Sequence, residues 1–307
     1  MINNIPNGIK IVEVGPRDGL QNEKQYVPAD QKVQFISDLK ASGLNSIEVT
    51  SFVRADKIPQ MKDAKEVFKS LAKERLDLGT LIALVPNLKG LNEFLKLGGK
   101  NMAVFSSPSE TFNKKNINSS VSESIEKITA VMKEGGKNGV QVRGYISTAF
   151  SCPYEGKINR DVLAKLSETF LNLGAYEISL GDTIGKATPD EVYEVLTFLL
   201  KFVPKEKIAM HFHDTYGFAL SNTLVALEMG IRNFDSSAGG LGGCPYAPGA
   251  TGNMASEDIV CLCQKMEIET GVDLNKLIKA SSRMLKILNK KSYSKVHNLQ
   301  EIKGSLC

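Results

Sequence analysis

The stretch Ile208-Ala209-Met210-His211-Phe212-His213-Asp214-Thr215-Tyr216-Gly217 is followed by Leu220, Leu224 and Leu227, then by Gly230, then by Phe234-Asp235-Ser236-Ser237. A short apolar run, a stripe at helical spacing, a glycine suited to a left-handed helix cap and a second apolar run together read as strand, helix, strand. On a strand, side chains two positions apart share a face, so His211 and His213, two of only three histidines in 307 residues, point the same way. Imidazole is the commonest metal-binding side chain, and a pair at the end of a buried strand suggests a metal in a pocket. Two hydrogen-bonded core histidines are the plainer alternative.

The same unit recurs outward in both directions. Strand candidates fall at Ile11-Val14, Ser46-Thr50, Leu81-Val85, Met102-Phe105, Val140-Ile146, Tyr176-Leu180, Ile208-His213 and Phe234-Ser237. Between them lie helical stripes such as Val33, Ile36 and Leu39, and helices are expected to stop at Gly43, Gly99, Gly139, Gly174 and Gly230, or near Pro204 before the seventh strand. The spacing of these glycines is about 31 residues per unit, the size of a βαβ element. Thr188-Pro189-Asp190-Glu191 is a helix start, with Thr as cap, Pro in the first turn and Glu closing a capping box.

Eight such units without a Gly/Ser-rich linker predict an α/β fold, a closed (β/α)8 or TIM barrel, ahead of an open doubly wound sheet. Residues 1–307 read as one catalytic domain: a barrel over about 9–267 and a C-terminal helical extension over about 268–307 packed on it. Helices are expected near Ser256-Met266 and from Asp273 to about Leu288, and 289–307 should be loosely ordered.

With 42% hydrophobic and 23% charged residues the composition is that of a globular protein, and disorder and fibre classes are excluded. There is no run of eighteen apolar residues, and the first strand comes too early for a signal or transit peptide, so a soluble, cytoplasmic protein is expected. The net charge of +4, with bases scattered among acids, argues against nucleic acid or membrane as partner. Cys152, Cys244, Cys261, Cys263 and Cys307 are odd in number and lack C-x-x-C spacing, which argues against a disulfide framework or a zinc ribbon. Cys261 and Cys263 read as helix packing, and Cys307 as an exposed thiol with nothing local to activate it.

In such barrels chemistry gathers at the C-terminal ends of the strands. The first ends in Gly15-Pro16-Arg17-Asp18-Gly19-Leu20-Gln21, where Asp18 offers a hard oxygen ligand and Arg17 a charged donor fork, unless the two are merely a surface ion pair. In the second, Glu48 and Thr50 are expected on one face. Glu48 can orient Arg17 or a metal-bound water; a solvent-facing salt bridge is the alternative. The sixth ends at Asp182-Thr183. The fifth alternates Arg143, Tyr145 and Ser147; if that face is the interior, Arg143 must be paired, with Asp182 as a neighbour, and if it is the outer face the three meet helices. Gly239 to Asn253 carries six glycines and two prolines and must be a loop, bringing Cys244 and Asn253 over the eighth strand. Two imidazoles, the Asp18 carboxylate and the Asn253 carbonyl form a mixed nitrogen and oxygen set that suits Mg²⁺ or Mn²⁺ better than structural zinc.

These residues resemble the 3-hydroxy-3-methylglutaryl-CoA lyase family, within the metal-dependent aldolase and acyl-transfer barrels. The resemblance runs over nearly the whole chain, on Val14 to Glu23, Ile47 to Val53, Ser109 to Asn118, the Asp182 and His211 segments and the glycine-rich loop through Gly252-Asn253. It implies metal ligands at Asp18, His211, His213 and Asn253, and catalytic residues at Arg17, Glu48, Asp182 and Cys244. Substrate contacts would come from Arg17, Gln21, Ser51, Arg143, Tyr145 and Thr183. The implied reaction is cleavage of 3-hydroxy-3-methylglutaryl-CoA to acetyl-CoA and acetoacetate, in leucine breakdown and ketone-body formation, by a homodimer acting on a small acyl-CoA.

Arg17 would hold the enolate oxygen, Asp182 or a metal-linked His would act as base, and Cys244 as proton donor. A related Claisen condensing enzyme or a 2-oxo-acid aldolase is the alternative within catalysis; a non-catalytic metal-binding barrel requires the acids and the thiol to be incidental. Lys114-Lys115 reads as a solvated loop or a contact for CoA phosphates, and His297 as a histidine titrating in solvent.

Overall fold

Eight parallel strands, Lys10–Glu13, Ser46–Ser51, Leu81–Leu84, Asn101–Ser106, Gln141–Ile146, Glu177–Asp182, Ile208–Phe212 and Asn233–Ser236, pair in chain order, and the first closes on the eighth. They are numbered first to eighth below. The computed structural model describes residues 5–74, 76–243 and 252–303. Each expected strand is present, within a residue or two at its ends.

Alternation along each strand sorts the residues into two cores. Ile208, Met210 and Phe212 face outward, with Ile178 and Leu180 of the sixth strand, into the large apolar layer under the helices. Val12, Val14, Ile82, Leu84, Ala103 and Tyr145 form a smaller cluster inside the barrel. The polar residues on the inward parity of the fifth to eighth strands therefore face one another within the barrel. Arg143 is one of these, which settles the face of the fifth strand.

The second strand departs from simple alternation. Its pairing with the third slips between Glu48 and Thr50, so Glu48 lies beside inward Ile82 and Thr50 beside outward Ala83. This β-bulge turns Thr50 away from Glu48, against the one-face expectation, and its hydroxyl meets the Met61 sulfur at 3.8 Å.

Gly43, Gly139, Gly174 and Gly230 all adopt positive φ after helices, as expected; beyond the helix Leu88–Lys96 that role falls to Gly98 (φ 77°) rather than Gly99. The helix Pro189–Leu199 starts as read, with the Thr188 amide donating to the Glu191 carboxylate at 3.2 Å.

The C-terminal helix Leu274–Leu288 lies against the helix Ala29–Ala41, with the Asp273 amide donating to the Ser42 carbonyl at 2.7 Å and Arg283 pairing with Asp38. The loose order expected after 289 is corrected in part: Lys295–Lys303 is a further helix. Asp258 caps its start, accepting from the Ser294 hydroxyl and the Lys295 and Val296 amides. His297 is buried, not solvated, and its Nε2 pairs with the Ser282 hydroxyl at 2.8 Å. A cap supplied by a distant helix cannot be read from the local pattern.

Candidate active site

The turn after the first strand begins the site. The amides of Arg17, Asp18 and Gly19 all donate to the Val14 carbonyl, at 3.2, 2.8 and 3.1 Å, winding Gly15–Gly19 into a π-type turn, a local geometry frequent at functional sites. Gly15 is required there, since an added Cβ would stand 2.5 Å from Glu13 Oε1. That same oxygen accepts the Gly15 and Ala238 amides, and Oε2 accepts the Ser256 hydroxyl, so one buried carboxylate ties the first strand end to the eighth.

The turn presents Arg17 and Asp18 together over the barrel mouth. Arg17 is only 6% exposed; Nη2 binds Glu48 Oε2 at 2.6 Å and Nη1 binds Asp18 Oδ1 at 2.6 Å. Burial works against its charge, but Glu48 and Asp18 outweigh that and hold it firmly protonated. Glu48 is enclosed rather than solvent-facing, and its Oε2 also accepts the Tyr145 hydroxyl at 3.1 Å. The Tyr145 ring lies between two guanidinium groups, with Arg143 at 4.8 Å and Arg17 at 5.5 Å from its centre.

From the seventh strand, His211 and His213 point the same way, ring centres 5.2 Å apart. One ligand atom each from Asp18, His211 and His213 fall within 4.8 Å of one another, the geometry of a metal site. The backbone brings up Asn253: it bridges His213 in antiparallel register, the Asp214 amide donates to the Gly252 carbonyl and the Met254 amide to the Phe212 carbonyl. Its Nδ2 donates to Asp18 Oδ2 at 3.0 Å and to the Leu241 carbonyl at 3.1 Å. Gln21 Nε2 donates to Asp18 Oδ1 at 2.9 Å.

Several buried polar atoms here have no partner among the described residues: Arg17 Nε, Glu48 Oε1, His213 Nδ1 and Asn253 Oδ1. Buried polar groups are ordinarily satisfied, so this concentration marks a site built for something bound. Burial, with His211 beside it, lowers the His213 pKa to about 4 and keeps that ring neutral, as a ligand must be. For Asp18, burial is outweighed by Arg17 and the two imidazoles, which hold its carboxyl below the usual range. The donor set fits a divalent cation.

The remaining expected residues separate. Asp182 is buried, with both oxygens accepting backbone amides, from Lys186 at 3.1 Å and Ala187 at 2.9 Å; burial pushes its pKa up to about 6. Thr183, beside it, accepts the Thr148 amide at 2.7 Å. Ser51 is buried at the end of the second strand, its hydroxyl 3.4 Å from the Leu84 carbonyl.

The expected partner of Arg143 is corrected: it pairs not with Asp182 but with Glu177 (2.6 Å) and Asp235 (2.6 and 3.1 Å), at 0% exposure. Cys244 and Cys307 lie outside the described residues. Glu13, Glu177 and Asp235 are not among the expected site residues; the available signal is a carboxylate within a short strand beside apolar residues.

The HMGL-like family matches residues 8–284. The chain belongs to the HMGL-like family. It is 47% identical over 292 residues to human mitochondrial hydroxymethylglutaryl-CoA lyase, covering 95% of this chain and 89% of that one. The crystal structure of hydroxymethylglutaryl-CoA lyase from Pseudomonas aeruginosa superposes with a TM-score of 0.94 at 45% identity, covering 98% and 99% of the two chains. An HMG-CoA lyase from Acinetobacter baumannii, solved in complex with coenzyme A and 3-methylmalate, superposes at 0.89 with 36% identity over 95% of each. The HMGL-like relatives with these names are carbon–carbon lyases on the same closed barrel.

Proposed function

We propose that this HMGL-like protein is a carbon–carbon lyase that cleaves 3-hydroxy-3-methylglutaryl-CoA to acetyl-CoA and acetoacetate with a divalent cation, Mg²⁺ or Mn²⁺. The observation that carries the reading is the convergence of Asp18, His211 and His213, with the unpartnered Asn253 Oδ1 nearby, beside a guanidinium pinned by Glu48. Asp18, His211, His213 and Asn253 would hold the cation. When bound there, it would acidify the tertiary hydroxyl of the substrate and fix its geometry.

The protein's own groups account for the rest. Breaking the bond to the thioester α-carbon leaves negative charge on the acetyl-CoA enolate oxygen. Arg17 stabilises that charge: Glu48 and Asp18 hold Nη2 and Nη1 in place, and the buried Nε–H has no partner among the described residues. Locking the fork in advance means that little reorganisation is needed as the charge develops. The base that takes the hydroxyl proton is Asp182, whose carboxyl burial raises to about 6, or one of the two imidazoles of the cation site. Cys244 returns a proton to the enolate carbon. Gln21, Ser51, Tyr145 and Thr183 would contact the acyl-CoA. A homodimer and a cytoplasmic location belong to the same proposal; among the described residues no helix is long and apolar enough to cross a membrane, and relatives carry both mitochondrial and cytoplasmic names.

The test is acetoacetate release from 3-hydroxy-3-methylglutaryl-CoA by purified protein during a titration with Mg²⁺ and Mn²⁺. Metal-dependent release is expected. Metal-loaded protein that forms no acetoacetate, yet turns over acetyl-CoA with a 2-oxo acid, would replace the lyase with a condensing enzyme.

A further inference from the structure

Below His211 lies a line of charged side chains that the reaction above does not use. His211 on the seventh strand and Asp235 on the eighth are register partners, and Nδ1 of the ring stands 3.1 Å from Asp235 Oδ2. Ser179 donates its hydroxyl to the same oxygen at 2.7 Å. Arg143 grips Asp235 with two nitrogens, Nη2 to Oδ1 at 2.6 Å and Nη1 to Oδ2 at 3.1 Å, and its Nε binds Glu177 Oε1 at 2.6 Å. Arg143, Asp235 and Ser179 are at most 1% exposed and Glu177 is 4% exposed. Such a desolvated ion-pair chain is costly and contributes little net stability, so a role other than stability accounts for it best.

We propose that Asp235, held by Arg143 and Ser179, is a positioning residue that fixes His211 in the tautomer with the proton on Nδ1 and turns the Nε2 lone pair toward the cation site.

The argument runs through what each partner permits. An imidazole rotates almost freely between two flat orientations and has two neutral tautomers, of which only one offers a lone pair at a given point. An ionised carboxylate can only accept, so it selects Nδ1–H and leaves Nε2 bare. A buried carboxyl on its own would tend to take up a proton and become a donor, which would select the opposite tautomer and aim an N–H at the cation. Arg143 and Ser179 prevent this: Arg143 Nη1 and Nη2 and the Ser179 hydroxyl all donate to the Asp235 oxygens, which leaves the carboxylate an acceptor toward the ring. Glu177 in turn occupies the remaining Arg143 nitrogen and keeps the guanidinium turned toward Asp235. The carboxylate that accepts from Nδ1 also raises the basicity of Nε2 toward a cation.

The inference rests on the reading of His211 as a cation ligand, and the test separates the two. Mn²⁺ affinity is measured by calorimetry on the full chain. The His211 tautomer is read from ¹⁵N imidazole shifts of the metal-free protein at alkaline pH, where the ring is neutral. In Asp235→Asn, Arg143 claims the amide oxygen, leaving the NH₂ to face the ring. The expected result is a wild type with Nδ1–H and a folded variant with the tautomer inverted and Mn²⁺ affinity reduced by about 10- to 100-fold. A variant that binds Mn²⁺ like the wild type with its tautomer unchanged overturns the role of Asp235. If the variant does not fold, the wild-type tautomer decides alone: a proton on Nε2 overturns the proposal and Nδ1–H supports it. Wild-type protein that binds no Mn²⁺ overturns the cation site itself, and this inference with it.

Discussion

At the scale of single residues, Arg17 concentrates the chemistry. Its partners Glu48 and Asp18 hold two of its nitrogens and leave Nε free in a buried pocket. Replacing Arg17 by Met should lower kcat for acetoacetate release by about 10²- to 10³-fold, the usual loss when a preorganised donor to a developing oxyanion is removed. Glu48 and Asp18 then lose their counter-charge, a change that typically costs about 3–5 kcal/mol, so turnover is compared below the variant's melting temperature with circular dichroism as the check on folding. A folded variant with near wild-type kcat would remove Arg17 from the mechanism. Arg17, Asp18, His211 and His213 were legible as a group because strand parity and strand ends are local properties. Arg143 was misread because its partners Glu177 and Asp235 come from other strands, and one strand's alternation says nothing of what faces it across the barrel.

At the scale of elements, the turn after the sixth strand supports the histidine pair of the seventh. Gly185 adopts φ of +63°, and an added Cβ would lie 2.8 Å from the His213 carbonyl and the Thr215 amide nitrogen. Gly185→Ala combines left-handed strain with that clash and should cost about 1–3 kcal/mol of stability. Because the clash falls on the His213 backbone, Mn²⁺ affinity should drop as well, which calorimetry can check; a stability loss with unchanged affinity would show that the strain stops short of the ligand. The Asn253 segment makes a related point. Its residue identity marked it as a ligand candidate, but only the backbone bridge to His213 and the Ser237–Ala255 pairing bring it to the mouth. The β-bulge at Glu48 and the cap on the last helix belong to the same class, set by partners far away in sequence.

Across the whole molecule, buried acids couple folding to pH, Glu13 and Glu257 among them. Burial raises both Glu13 and Glu257 from 4.5 to about 7, and in Glu257 the neighbouring Glu13 adds to the rise. A raised folded-state pKa gives stability that is complete below the unfolded value and is lost as pH rises through the folded one, so each contribution declines between about pH 4.5 and pH 7, by about 3 kcal/mol at most. His213, lowered to about 4, supplies the opposite slope in part of that window, so the quantity to measure is the difference between wild type and Glu13→Gln in urea unfolding at several pH values. The wild type should lose stability relative to the variant as pH rises; parallel profiles would refute the linkage. We also propose that barrel and C-terminal helices fold as one unit. A single thermal transition is then expected, with a midpoint that rises on adding Mn²⁺ and falls on chelation, since a ligand bound only by the folded state stabilises it by mass action. Two separate transitions, or a midpoint indifferent to metal, would count against it.

The amino-acid order alone determined the alternation of strands and helices, the eight strands of the barrel, and which side chains stand at strand ends, because parity, helical spacing and capping act within a few residues of one another. Tertiary closure decided the rest. Which carboxylate meets Arg143, which nitrogen of His211 is left bare and where Asn253 comes to rest depend on strands that become neighbours only when the barrel shuts and excludes water, since buried charges must then find partners wherever in the chain these lie.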